Sequence, residues 1–137
     1  MPEKKPEPDV VVKQVSQVRK ATPGHWSVTW EVQNRRGTLR IVSGRLPHGR
    51  FRCGETELSP VPVLAPKEKA RLEFTVKCEE PPGTVVENAF LILRVDWSKA
   101  PWLILARLRV SVDDNGAPQS VTEVITAQPV GFAAAMK

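Results

Sequence analysis

The chain has no tyrosine, only two histidines and two cysteines, and no run approaching the roughly 18 to 20 uninterrupted apolar residues that a membrane-spanning helix requires. Each shortage removes a class of function. With His25 and His48 as the only imidazoles, general bases and nitrogen ligands for a metal are scarce. No nucleophile elbow, glycine-rich phosphate loop or H-E-x-x-H pattern is present. These absences point away from an enzyme. Cys53 and Cys78 stand 25 positions apart with no C-x-x-C, so neither a zinc module nor a disulfide-dense scaffold is indicated. A mixed metal site would have to gather His25, His48, Cys53 and Cys78 from separate strands. Two turn histidines and two core cysteines in reduced form are the simpler reading, and no metal or cofactor is expected. The opening "MPEKKPEPD" is charged and proline-rich and lacks the apolar segment of a secretory signal, so a cytoplasmic protein without membrane contact is expected.

A 3.6-residue period is also missing; what is there is alternation, punctuated by proline and glycine. The 137 residues, 41% hydrophobic and 26% charged, are the size of one domain able to bury about two thirds of its unfolded surface. The division expected is a tail over residues 1–8, a β domain over 9–127 and a second tail over 128–137. "HWSVTWEV" sets Trp26, Val28, Trp30 and Val32 on one face. "ARLEFTVKC" does the same with Leu72, Phe74, Val76 and Cys78, while Arg71, Glu73, Thr75 and Lys77 face water. Cys53 shares the parity of Phe51, so both cysteines point inward. Strands are expected near Val10 to Val18 and around Trp26, Leu39, Phe51, Leu72, Phe90, Leu103 and Val121.

The segment "AFLILRVDWSKAPWLILARLRVSV" reads as a hairpin. With Ser98 to Pro101 as its loop, Trp97 faces Trp102, followed by Val95 with Ile104, Leu93 with Ala106, Leu91 with Leu108 and Ala89 with Val110. A one-residue slip would turn all of these outward, which fixes the face. "DDNG" after Val112 signals a tight turn into the last strand. A two-residue and a four-residue loop there would put Glu123 on opposite faces, so its register stays open.

Short strands at this spacing with no βαβ unit predict an all-β fold: an antiparallel two-sheet sandwich of about seven to eight strands, with a small barrel as second choice. "WEVQNRRGTLRI" followed by "FRCGETELSPVPVLAPKEKARLEFTV" resembles the V-x-N, L-x-I and proline-then-strand layout of immunoglobulin-like bacterial modules, over Trp26 to Val76. The resemblance implies an immunoglobulin-like sandwich and, by analogy, adhesion, scaffolding or docking.

Two surfaces are candidates for a partner. The stretch from Asn34 to Cys53 carries six arginines and no acid. Arg36, Arg40, Arg50 and Arg52 fall on the solvent side of their strands. If those strands are neighbours, the four form one patch with Arg45 and His48 at its margin, able to grip phosphates of a nucleic acid or other polyanion. The net charge of +5 and pI near 9.6 agree with an anionic partner but serve solubility equally. The plainer reading is a wet sheet face paired with Glu31, Glu55, Glu57 or Glu73. It is favoured, because no exposed aromatic is available for base stacking.

The second surface is the outer side of the hairpin. There the register sets Phe90, Ile92 and Arg94 opposite Arg109, Arg107 and Leu105, with Leu103 beyond, opposite Asp96. Four large apolar residues on a side away from the core call for a cover: the chain's own "AQPVGFAAAM" or another subunit. Aliphatics interleaved with arginine and an aromatic suit an interface core. The expectation is a non-catalytic protein-interaction module, a homo-oligomer or an accessory subunit of a larger assembly.

Overall fold

A computed structural model describes residues 6–130. The chain is all-β, with strands β1 (Val10–Arg19), β2 (His25–Asn34), β3 (Leu39–His48), β4 (Phe51–Glu57), β5 (Val63–Leu64), β6 (Lys69–Cys78), β7 (Val85–Trp97), β8 (Ala100–Val112) and β9 (Pro118–Pro129). Alternation places the side chains as the pattern demands. Trp26, Val28, Trp30 and Val32 of β2 and Leu72, Phe74, Val76 and Cys78 of β6 are buried, while Lys69, Arg71, Glu73 and Thr75 are exposed. The last strand runs two residues past the expected domain end, to Pro129, and the Val130 amide donates to the Pro101 carbonyl. Residues 1–5 of the expected N-terminal tail and 131–137 of the C-terminal one lie outside the described residues.

The strands form one antiparallel sheet in the order β1-β2-β6-β4-β3-β7-β8-β9, with the short β5 on the first residues of β3. This is a nearly closed, barrel-like sheet rather than the two separate sheets expected. The reason is a junction. Phe51 and Arg52 of β4 pair with Cys78 and Lys77 of β6, and those two pairs weld β1-β2-β6 to the remaining strands. Register shifts in β1, β3, β7 and β9 supply the curvature, because an extra residue on one strand bends it and increases its twist. At the other margin β1 and β9 meet through side chains. The Gln14 amide donates to the Pro118 carbonyl (2.9 Å) and accepts from the Ser120 amide (2.8 Å) and hydroxyl (2.6 Å), and Trp30 Nε1 donates to the same hydroxyl.

The interior is filled by Trp30, Phe51, Phe74, Leu39, Ile41, Leu46, Leu91, Leu93, Ile104 and Leu108, all essentially without solvent contact. Gly44 is part of that packing: a Cβ there would stand 2.6 Å from the Phe74 ring, so only glycine lets β3 pass so close. Asn34, fully buried, ties the β2–β3 connection together, its amide donating to the Gly37 and Leu64 carbonyls and its oxygen accepting from the Arg36 amide. Cys53 is half-buried and Cys78 buried, and both are free thiols.

The β7–β8 register differs from the expectation by two residues. Trp97 pairs with Ala100, Val95 with Trp102, Leu93 with Ile104, Leu91 with Ala106 and Ala89 with Leu108. The loop is therefore Ser98–Lys99 alone, with φ of 51° and 67°. Two consecutive positive φ values are those of a type I′ turn, whose twist matches the flanking strands. Trp97 and Trp102 still touch, edge to face with centroids 5.9 Å apart. Between β8 and β9 the chain needs five residues, Asp113 to Ala117. Asp113 Oδ1 accepts from the Asn115 and Ala117 amides there, a cluster of donors that holds this carboxyl below its ordinary pKa.

Candidate protein-docking face

The observed and expected registers differ by two residues, an even number, so the two faces of the hairpin are the same in both. Phe90, Ile92 and Arg94 of β7 and Leu103, Leu105, Arg107 and Arg109 of β8 all stand on the outside of the sheet. Their neighbours change. Ile92 now lies directly across from Leu105, Phe90 across from Arg107 and Arg94 across from Leu103. The apolar residues thus form one connected group, where the expected register had set arginines opposite Phe90 and Ile92. Phe90, Ile92, Leu103 and Leu105 are each half-buried, flanked by the arginine stems.

The strands on either side extend this face. On β3, Arg45 lies beside Ile92. On β9, Thr126 lies beside Leu105, Val124 beside Arg107 and Val121 beside Arg109. Val121 is 66% exposed and Val124 42%. Val121, Val124 and Arg45 are members that the sequence alone does not reveal: the first two because alternation leaves the β8–β9 register open, Arg45 because its place beside Ile92 depends on the β3–β7 pairing. The segment "AQPVGFAAAM" does not lie across the face as far as it is described, since Ala127 to Pro129 continue β9.

Three of these arginines are ion-paired in place. Arg94 Nη1 is 3.7 Å from Glu55, Arg107 Nε is 3.9 Å from Glu123 and Arg109 Nε donates to Glu87 at 3.1 Å. Glu55 also accepts a hydrogen bond from the hydroxyl of the fully buried Ser43, which anchors it. Glu123 sits where β9 bulges, between the residues facing Arg107 and Leu108, and the bulge turns its carboxylate toward Arg107. Arg107 Nε itself is buried and has no hydrogen-bond partner among the described residues.

The other candidate, the arginine cluster of residues 36–52, is not assembled as one patch. β3 and β4 are neighbours as that reading required, but Arg52 lies opposite Pro47 at the far end of β3 from Arg40, roughly 20 Å along the strand. Arg36 belongs to the β2–β3 turn, where it donates to the Glu7 carbonyl and lies 3.8 Å from Asp9. Arg40 pairs with Asp96 at 3.0 Å and Arg52 with Glu79 at 3.5 Å. Arg45 and Arg50 are exposed, Arg45 beside the apolar face and Arg50 in the β3–β4 turn. Asp9, Asp96 and Glu79 are the counter-ions, not the expected Glu31, Glu55, Glu57 and Glu73. Glu31 instead lies within 4 Å of Lys13, Lys69 and Arg71 on the opposite wall, and Glu73 accepts from Ser27.

Among the described residues no group of three or more His, Cys, Asp or Glu side chains comes together, and no helix is long and apolar enough to cross a membrane. Fold and surface together define a barrel-like β domain with a densely filled interior and an outer face on which apolar residues lie among mostly ion-paired arginines. Comparison with protein-family models, with curated proteins and with solved structures finds no match to this chain.

Proposed function

We propose that the chain is a non-catalytic protein-interaction module that docks through the outer face of β3, β7, β8 and β9. The observation that carries this reading is the Ile92–Leu105 pair. Two aliphatic side chains face each other across adjacent strands on the outside of the sheet, with Phe90 and Leu103 diagonal to them. No described strand lies over the group, because all nine belong to one sheet. Apolar residues ringed by arginines are what the desolvated centre of an interface uses. A filled interior supports docking over ligand storage, since a barrel packed with Trp30, Phe74 and Phe51 has no room for a guest.

The immunoglobulin-like kinship is part of the same proposal. If the two β4–β6 residue pairs are taken as a corner, β1-β2-β6 and β4-β3-β7-β8-β9 become the two layers of a sandwich. The polyanion reading has less support, because Arg36, Arg40 and Arg52 are spent on Asp9, Asp96 and Glu79.

The test is capture of a protein partner by the tagged chain at low and at high salt. Retention at high salt is expected, and its loss in the Ile92→Lys, Leu105→Glu double variant, since charges at an interface centre cannot be solvated there. Capture that disappears with salt and is indifferent to the double variant would instead assign binding to the cations.

A further inference from the structure

We infer that the occupant of this face is a second copy of the same chain, packed sheet against sheet; the inference rests on the docking reading above. Three observations lead to it.

The first is charge. Arg94, Arg107 and Arg109 are matched one for one by Glu55, Glu123 and Glu87. Arg45, exposed beside Ile92, is left over, so the face carries only a small part of the chain's net charge of +5. Part of the excess stands on the opposite wall, where Lys13, Lys69 and Arg71 share Glu31. A strongly acidic or basic partner finds little here to steer it. A surface of the same kind meets it without like-charge repulsion.

The second is extent. β3, β7, β8 and β9 are 10, 13, 13 and 12 residues long. At about 3.3 Å per residue and about 4.8 Å between strands they cover roughly 20 by 35 Å. That is roughly 700 Å², close to the ~800 Å² each partner gives to a standard interface.

The third is pattern. In the β7–β8 register, Phe90, Ile92, Leu105 and Leu103 form a diagonal apolar stripe, with Arg107 and Arg94 at the two remaining corners. Turning a second copy about an axis parallel to the strands, between β7 and β8, lays its Leu105 over Ile92. Phe90 of one copy then meets Arg107 of the other, and Leu103 meets Arg94. Each arginine covers an apolar side chain, and the Phe90–Arg107 contact is the cation-over-ring arrangement. Two sheets packed in this way lie about 10 Å apart, which suits side chains of this size.

Sedimentation equilibrium on the purified full chain, over a wide concentration range, measures the outcome. The expected parent mass rises to about twice 15.2 kDa, with little dependence on salt. The Ile92→Lys, Leu105→Glu double variant is expected to stay at one chain mass while keeping a cooperative melt. A parent that remains a single chain throughout overturns the inference; if the parent still captures another protein through this face, the docking reading survives and only the second copy is dropped. A double variant that folds and dimerises like the parent also overturns it, since another surface would then be responsible. Should the double variant fail to fold, the single variants Ile92→Cys and Leu105→Cys decide. Mixed and treated with a short thiol-to-thiol cross-linker that spans the ~10 Å between the sheets, they are expected to give a species joining position 92 of one copy to position 105 of the other, and absence of that species rejects the arrangement.

Discussion

Trp30 and Phe74 meet inside the barrel with ring centroids 6.1 Å apart, tilted by 56°, and neither has more than 1% of its surface exposed. Alternation in β2 and β6 was enough to place both inward. Truncating either leaves a void among neighbours that relax only in part, so Trp30→Ala and Phe74→Ala are each expected to cost about 3–5 kcal/mol. Denaturant midpoints measure this, and a loss below about 1 kcal/mol at both would mean that the parity of those strands is inverted. Gly44 shows the limit of such reading: its need for glycine comes from the Phe74 ring on a distant strand, which local sequence does not display. Cys78 offers a test by pH. Burial pushes its thiol pKa up from the ordinary 9.0, helped by the charge of Glu80 and opposed by a backbone hydrogen bond there. The folded value lies above the unfolded one, so the contribution is fully present below the unfolded pKa and is lost as pH rises through the folded one. Stability of the parent should therefore decline above about pH 9 more than that of Cys78→Ala. Parallel declines would remove Cys78 as the cause.

At the scale of elements, the β7–β8 hairpin separates what is legible from what is not. Its inward and outward faces follow from alternation, and a shift of two residues leaves both unchanged. The shift itself was invisible, because Ser98–Lys99 lacks the Asn-Gly or Asp-Gly signature by which a type I′ turn announces itself. Serine and lysine are held at positive φ by the strands on either side. Replacing the pair by Asn-Gly should relieve that, raising stability by about 1 kcal/mol with an unchanged denaturant slope. No gain, or a changed slope, would show that the turn is not the register-setting element. The β9 register was illegible for a related reason. It depends on a five-residue connection pinned by the Asp113 side chain, and on a bulge at Glu123 that no local pattern marks.

For the whole molecule, the arginines of residues 36–52 are peripheral to the fold. Arg36, Arg40 and Arg52 are exposed and paired with exposed acids, and such pairs contribute about 0–1 kcal/mol each. Changing Arg36, Arg40, Arg50 and Arg52 together to Glu should leave a soluble chain with a single cooperative melt, at a cost of a few kcal/mol from the new repulsions. Retained partner capture in this variant would support the apolar face, whereas loss of nucleic-acid affinity present in the parent would favour the cationic alternative. An insoluble product would show that these side chains are structural and would remove both readings of the arginine cluster.

Composition and alternation by themselves determined that this chain is all-β, which side chains of most strands turn inward, and that Phe90, Ile92, Leu103 and Leu105 turn outward. Those properties follow from a period of two, which every residue imposes on its neighbours regardless of what packs nearby. Only the tertiary structure decided that β6 lies between β2 and β4, that two residue pairs there close the strands into one barrel-like sheet, and that Ile92 faces Leu105. It also decided which acid answers each arginine. These depend on strand neighbours distant in sequence, chosen by how the whole set of apolar faces can be enclosed at once, and no stretch of the chain carries that choice alone.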